Sequence, residues 1–358
     1  MRLRRPGVTR PGGTVFLTAS RGGLTPISVS VFHQSLPDDS VTDLGRYSAG
    51  LTVPADVAWP LGRLGPVTEA LILPYAAMMA VPESAPEVGG GDYALGRSAA
   101  ETDRLIAQHH LYGPFTRQFL VGAGITSGMK VLDIGSGAGD ISLLLAELVG
   151  PQGQVVGVDT DPDIVATARD RVRAAGWTTV SFAVGTIGDL DLDRDFDAVV
   201  GRWLLMYLPD PAALLRQART LLRVGGVVAF QEGDIRSSAR TFPSAPLHEH
   251  LARLVTPPPG APGPDVDMGP KLFHTFIAAG LPAPQLRHDT PIGGGPDWPG
   301  FSYLTATVRN LLPFLDKVAG ITPEQLGIDS LEHRLRAEVV EQDGIQLLPP
   351  LIGAWTRV

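Results

Sequence analysis

The chain has 358 residues, 44% of them hydrophobic and 18% charged, enough for one enlarged domain or two and too many for a small stapled scaffold. It contains no cysteine, which removes disulfides, thiolate zinc sites and every thiolate nucleophile and permits a reducing, cytoplasmic setting. The formal net charge of −8 opposes the broad basic surface that nucleic-acid phosphates demand, so the expected partner is a small molecule and not a nucleic acid.

Residues 1–37 hold five arginines and no acid, among many Gly, Pro, Ser and Thr. Gly12, Gly13, Gly22 and Gly23 interrupt any amphipathic transit helix, and no apolar core of a secretory signal is present, so residues 1–91 are expected to be a low-order leader. Met78 or Met79 is an alternative start. The longest apolar stretch, Ala70 to Val81, contains Pro74 and falls short of the ~20 residues a spanning helix needs, so no membrane partner is expected.

Order is expected to begin near Tyr93. Ser98 and Glu101 fit a capping box, Leu105, Ile106, His109 and Tyr112 recur at helical spacing, and Gly113-Pro114 is expected to stop that helix. From Lys130 onward, apolar runs alternate with amphipathic segments. Val131–Ile134, Val155–Val158, Val180–Val184, Phe196–Val200 and Val227–Gln231 read as strands. Between them lie the helices Asp140–Leu148, one opened by Asp161-Pro162, and one opened by Asp210-Pro211 and ended by Gly225-Gly226. This alternation predicts an α/β fold with a doubly wound, mostly parallel sheet. Beyond Gly233 the rhythm breaks. A proline-rich loop over 234–267 precedes a helix Pro270–Ala279, a strand-like Pro284–Thr290, helical stretches Leu304–Val318 and Pro323–Glu341, and a last strand Leu351–Thr356. The expected organisation is a Rossmann-like domain over 92–234, to which strand 350–357 returns, with 235–345 as a helical lid covering the substrate.

The most informative segment is Val131-Leu132-Asp133-Ile134-Gly135-Ser136-Gly137-Ala138-Gly139. Its glycines let the chain turn sharply from strand to helix and let a ligand lie against bare main chain. Twenty residues after Gly139, strand two ends at Asp159, where a carboxylate can accept ribose hydroxyls. The dinucleotide spacing G-x-G-x-x-G is not met, and Asp133 beside the loop would repel a pyrophosphate. S-adenosylmethionine has no phosphate, and its sulfonium and ammonium outweigh its carboxylate, so an acid there is welcome.

On these residues the chain resembles the class I S-adenosylmethionine-dependent methyltransferases of the small-molecule type. The resemblance covers 93–234 and the returning strand. It implies S-adenosylmethionine as cofactor and assigns the first motif to Asp133, Gly135, Ser136, Gly137 and Gly139, and the ribose acid to Asp159 with Thr160 beside it. The adenine segment falls on Gly185, Thr186 and Ile187, where the family often has Asp in place of Thr186. The strand-four tip, Gly201-Arg202-Trp203, would border the methionine part and the transferred methyl. Leu222 to Gly226 resembles the turn into strand five, with Val224 where proline is common. Tyr93, Arg104, Gln108 and Tyr112 resemble the segment that closes over the cofactor.

Other constellations lead nowhere comparable. Asp189 to Asp197 alternate like a calcium loop, but Arg194 and Val200 stand where an EF-hand needs Gly and Glu, so a solvated acidic loop is expected. His109-His110 and His248-Glu249-His250 are spaced so that neighbours face apart on a helix, and no metal is expected. His109, His110, His248 or His274 could act as a base if it faced the pocket; no catalytic residue is assigned. No Asn-Pro-Pro-aromatic string follows strand four, and no cysteine is available for a covalent pyrimidine adduct. Leu311-Leu312-Pro313-Phe314-Leu315 gives the lid an apolar character, which favours O-, N- or C-methylation of an apolar or aromatic metabolite. A nicotinamide-dependent oxidoreductase shares the architecture, and a noncatalytic cofactor-binding protein is the third reading.

Overall fold

A computed structural model describes residues 99–237, 240–257 and 263–358. The leader over 1–91, the domain start at 92, Tyr93 and Ser98 of the capping box lie outside the described residues. Helix α1 (Ala99–Gly122) runs straight through Pro114. The expected stop at Gly113-Pro114 fails because the second half of the helix buries Phe119 and Leu120 against the sheet, and tertiary packing outweighs the missing proline N–H.

Five strands form the parallel part of the main sheet: β1 (Lys130–Ile134), β2 (Gln154–Asp159), β3 (Val180–Val184), β4 (Phe196–Arg202) and β5 (Leu222–Gly233). β10 (Leu351–Arg357) pairs antiparallel with β5, and β7 (Gln285–Asp289) antiparallel with β10, giving the order β3-β2-β1-β4-β5-β10-β7. Helices α2 (Asp140–Val149), α3 (Pro162–Ala174) and α4 (Pro211–Arg219) supply the crossovers β1 to β2, β2 to β3 and β4 to β5, and a loop connects β3 to β4. The sheet is covered on both faces, so its inner strands read as unbroken apolar runs. On β5, Val227 and Ala229 pack with Phe119 of α1 and Leu145 of α2, while Val228 and Phe230 pack with Leu215 of α4 and Phe276 of helix α6 (Met268–Ala278).

Punctuation worked where it acts locally. Asp161 caps α3 by accepting the amides of Asp163 and Ile164, with Pro162 in the first turn, a cap worth about 0.5–2 kcal/mol. Asp210 caps α4 in the same way. Gly225-Gly226, however, does not end α4, which stops at Arg219; the pair lies inside β5, where the register slips from Phe196↔Leu222 to Ala198↔Val227. Gly225 takes φ +78 at this irregularity, a conformation open to glycine at little cost.

Between β5 and β10 the chain builds a second layer. The expected loop over 234–267 contains β6 (Arg240–Phe242) and α5 (Pro246–Leu254). β6 pairs with β9 (Ile345–Leu347), which pairs with β8 (Ile292–Gly294), in a small antiparallel sheet. The long helix α7 (Gly300–Ala319) follows β8. The helix expected over 323–341 is broken into α8 (Pro323–Leu326), a 3-10 turn and α9 (Leu331–Val340), because Gly327 adopts φ +57. α5, α7 and α9 share a core of Leu251, Phe301, Val308, Leu312 and Leu335.

Candidate active site

In an open parallel sheet, ligands lie outside the carboxyl ends of the strands where the strand order reverses, here between β1 and β4. The chain leaves β1 through Gly135, Gly137 and Gly139 at φ +70, +50 and +84, all left-handed. The amides of Gly135 and Ser136 donate to the Val158 carbonyl at 2.8 and 3.1 Å, which ties the loop to β2. A Cβ at Gly139 would press on Ala168 and Phe182 at 3.2 and 3.3 Å, whereas Gly137 faces open space. Asp159, at the end of β2, accepts the Gly137 amide through Oδ2 at 2.9 Å and the Asp161 amide through Oδ1 at 3.1 Å.

Beneath the loop, Asp133 is buried, and its Oδ2 accepts the Ser142 hydroxyl at 2.6 Å. Burial pushes its carboxyl up to about 7, against the pull of Ser142 and Arg202. Arg202, at the tip of β4, donates to Thr116 Oγ1 at 3.1 Å and feels the charges of Asp140 and Asp133; burial pulls its guanidinium below the usual range. His109 faces the same region, and burial followed by Arg202 lowers its imidazole to about 4, so it is neutral near pH 7.

Trp203 follows Arg202 with φ +57, an outlier for so bulky a residue that costs about 1–3 kcal/mol. Its indole lies over Gly233, where any Cβ would come within 2.0 Å of the ring. Edge-to-face contacts join Trp203 to Tyr112 (5.9 Å between centroids) and Tyr112 to Tyr303 of α7 (6.1 Å). Tyr303 accepts from Gln108 Nε2 at 3.0 Å, and Glu101 holds Arg104 through both carboxylate oxygens while accepting Asn310 Nδ2 at 2.8 Å. A buried polar link thus joins α1 to α7.

The expected site residues divide. Asp133, Gly135, Ser136, Gly137, Asp159, Arg202 and Trp203 gather where β1, β2 and β4 end. Gly139 is the N-cap of α2, and Thr160 is exposed beside Asp159. Gly185 follows β3 and donates its amide to the Asp159 carbonyl at 2.9 Å; Thr186 is exposed with its hydroxyl donating to Asp189, and Ile187 is buried in the main core. Gln108 reaches α7 instead of the glycine loop. Leu312 of the apolar run packs inside the core of the second layer and Leu315 is buried, while Leu311 and Phe314 are half-buried. Of the histidines, His109 borders the site; His110 and His274 are exposed, and His248 is buried within α5. The acidic stretch lies at the opposite end of the strands, where Lys130 Nζ bridges Asp193 and Asp195, and no group of three metal-ligating side chains exists among the described residues.

Sequence reasoning missed Thr116, Gln231, Glu232 and Tyr303. Gln231 and Glu232 carried one signal, two polar residues ending an apolar strand run.

Several buried polar atoms at these strand ends have no partner among the described residues: Asp133 Oδ1, Ser136 Oγ, His109 Nδ1, Trp203 Nε1 and both ends of the Gln231 amide. Orphaned atoms in such number at one edge call for a polar ligand. An acid, a cation and a neutral amide suit a zwitterionic amino-acid tail, and the open face of Gly137 beside Asp159 suits a sugar. The residues present therefore fit S-adenosylmethionine.

A family model described as a methyltransferase domain matches residues 125–256. The chain is 32% identical over 159 residues to the aklanonic acid methyltransferase DauC of Streptomyces sp. strain C5, covering 43% of this chain and 68% of that protein. It is 36% identical over 121 residues to an arsenite methyltransferase of Aquipseudomonas alcaligenes, covering 32% of this chain. The chain spans about a third of the length of the arsenite methyltransferases it matches. Among solved structures, a SAM dependent methyltransferase from Aquifex aeolicus aligns with a TM-score of 0.40 at 18% identity, over 53% of this chain and 91% of that one. No described helix is long and apolar enough to cross a membrane. With the glycine loop, the acid closing β2 and the sheet order on one side and the relatives on the other, this chain belongs to the class I S-adenosylmethionine-dependent methyltransferase family.

Proposed function

We propose that the protein is a cytoplasmic S-adenosylmethionine-dependent methyltransferase acting on a small apolar or aromatic metabolite, with no nucleic-acid or membrane partner. The observation that carries the reading is Asp159 bonded to the amide of Gly137 beside an open loop face. Bound S-adenosylmethionine supplies a methyl group already activated on a sulfonium. The chain then has to align an acceptor atom in line with that methyl and exclude water, and positioning of this kind can supply much of the rate.

Each assigned residue has a role that its chemistry allows. Asp159 exchanges backbone amides for ribose hydroxyls. Asp133, through its free Oδ1, attracts the cationic part of the ligand, and Arg202 pairs with its carboxylate. Gly135, Ser136, Gly137 and Gly139 form the bare loop, with Thr160 at its rim. Gly185, Thr186 and Ile187 border the adenine, where the carboxylate of Asp189, held by Thr186, stands in for the aspartate common in the family. Trp203, Tyr112 and Tyr303 offer an aromatic wall, which supports an apolar or aromatic acceptor. Gln108 holds Tyr303, and His109, neutral near pH 7, is the base candidate nearest the site. Segment 235–345 acts as the acceptor-covering part.

Among the relatives, one is named for aklanonic acid and another for a phytyl naphthoquinone. The arsenite relatives suggest a different acceptor, but this chain holds no thiolate to grip a soft arsenic(III) centre. The test is a labelled-methyl screen of the full chain against a metabolite extract, run beside calorimetry with S-adenosylhomocysteine. Binding and a labelled small product are expected. Binding of NAD in place of S-adenosylhomocysteine would overturn the reading.

A further inference from the structure

Glu232 is fully buried at the end of β5, on the sheet face opposite Gln231 and Arg202, and its Oε2 has no hydrogen-bond partner among the described residues. Its Oε1 accepts the amides of Leu204 and Leu205 at 2.9 and 2.7 Å. These are the two residues directly after Trp203, so the carboxylate grips the turn from one side of the sheet while the indole lies over Gly233 on the other. The amide of Trp203 itself donates to the Gln231 carbonyl at 3.0 Å. A left-handed tryptophan persists only where its surroundings over-determine it, and here Glu232 acts beside the Gln231 carbonyl and the Tyr112 ring.

We infer that Glu232 is a positioning residue, whose carboxylate holds the turn after β4 and thereby fixes the indole of Trp203 at the corner where acceptor and methyl group must meet. The location of that corner rests on the methyltransferase reading; the coupling of the two residues does not.

The coupling is pH-sensitive. Burial raises the Glu232 carboxyl to about 7, against the pull of the turn amides. An ionised acceptor makes hydrogen bonds roughly twice as strong as a neutral one, so the grip weakens as pH falls through neutrality. The charged neighbour facing Glu232 is Asp265, in the loop before α6, which raises the carboxyl further. Asp265 is held by Lys271 of α6 at 2.7 and 2.6 Å, and Asp267 beside it by Arg236. Arg202 belongs to the opposite face of the sheet.

Tryptophan emission of the full chain tests this, with the Trp203→Phe spectrum subtracted to isolate residue 203. The Trp203 emission is expected to move to longer wavelength as pH falls through about 7. Glu232→Gln keeps an acceptor oxygen and is expected to fold with an emission that no longer titrates. Gly233→Ala drives the indole off its seat with Glu232 intact and is expected to give the shifted emission at every pH. A Trp203 signal that still titrates in Glu232→Gln, in a variant whose circular dichroism is that of wild type, overturns the inference. Calorimetry with S-adenosylhomocysteine on the same samples separates the two ideas: failure to bind sinks the cofactor reading and leaves the emission result standing.

Discussion

Asp159 and Gly137 are joined by a 2.9 Å hydrogen bond from the glycine amide to the carboxylate Oδ2. The bond stitches the end of β2 to the loop after β1, and it keeps a carboxylate beside Gly137, where a Cβ would meet open space. A strand end and a glycine 22 residues before it are thereby made into one surface.

Replacing Asp159 by alanine removes two charge-assisted bonds of ~1.5–3 kcal/mol each, so S-adenosylhomocysteine affinity should fall by roughly two to four powers of ten. Calorimetry measures this directly. Unchanged affinity would remove Asp159 from the site.

Gly137→Val places a branched side chain in the open space beside the carboxylate, at a φ of +50 that disfavours it by about 1–2 kcal/mol. The fold should survive with a melting temperature lower by a few degrees. The stabilisation that S-adenosylhomocysteine gives to wild type should vanish, and a thermal shift equal to that of wild type would contradict the assignment.

Burial raises Asp133 to about 7, so the free protein holds a proton there near neutrality. S-adenosylmethionine carries net positive charge, which favours the ionised carboxylate. Affinity should therefore rise as pH increases through about 7 and then level off, with proton release on binding below that point. In Asp133→Asn the affinity should be lower and flat with pH. Calorimetry in buffers of different ionisation enthalpy counts the protons.

Glu232 is also raised to about 7, against an ordinary value of 4.5. Between these values the unfolded chain ionises while the folded one keeps its proton, so this group makes stability fall as pH rises through that window. His109 and His248, lowered to about 4 by burial, act in the opposite sense, losing stability as pH falls below 6.5. The separate contribution is visible in a variant: the melting temperature of Glu232→Gln minus that of wild type should grow more positive from acid to neutral pH. A difference independent of pH would show that Glu232 does not titrate in that window.

The parallel half of the sheet and its two proline-capped helices were readable because their signals are local. Asp161-Pro162 and Asp210-Pro211 meet the N-terminal amides of their own helices, and an apolar run bounded by glycine is a buried strand wherever it lands. The misses share the opposite cause. Pro114 did not end α1, since Phe119 and Leu120 bury against strands distant in sequence. Gly225-Gly226 became an irregularity inside β5 because its partner on β4 sets the register.

The same division holds for the site. The glycine loop and the acid closing the next strand were legible from residue type and spacing, since neither needs a distant partner to be recognised, while the other candidates came from the family resemblance. Their protonation, and the company of Thr116, Gln231, Glu232 and Tyr303, came from packing. Burial depth decides the charge of Asp133 and Glu232, and the crossing of α1 with α7 decides what Gln108 touches. Both depend on where remote segments meet, because desolvation and hydrogen-bond partnership are properties of a three-dimensional neighbourhood and are not carried by any short stretch of chain.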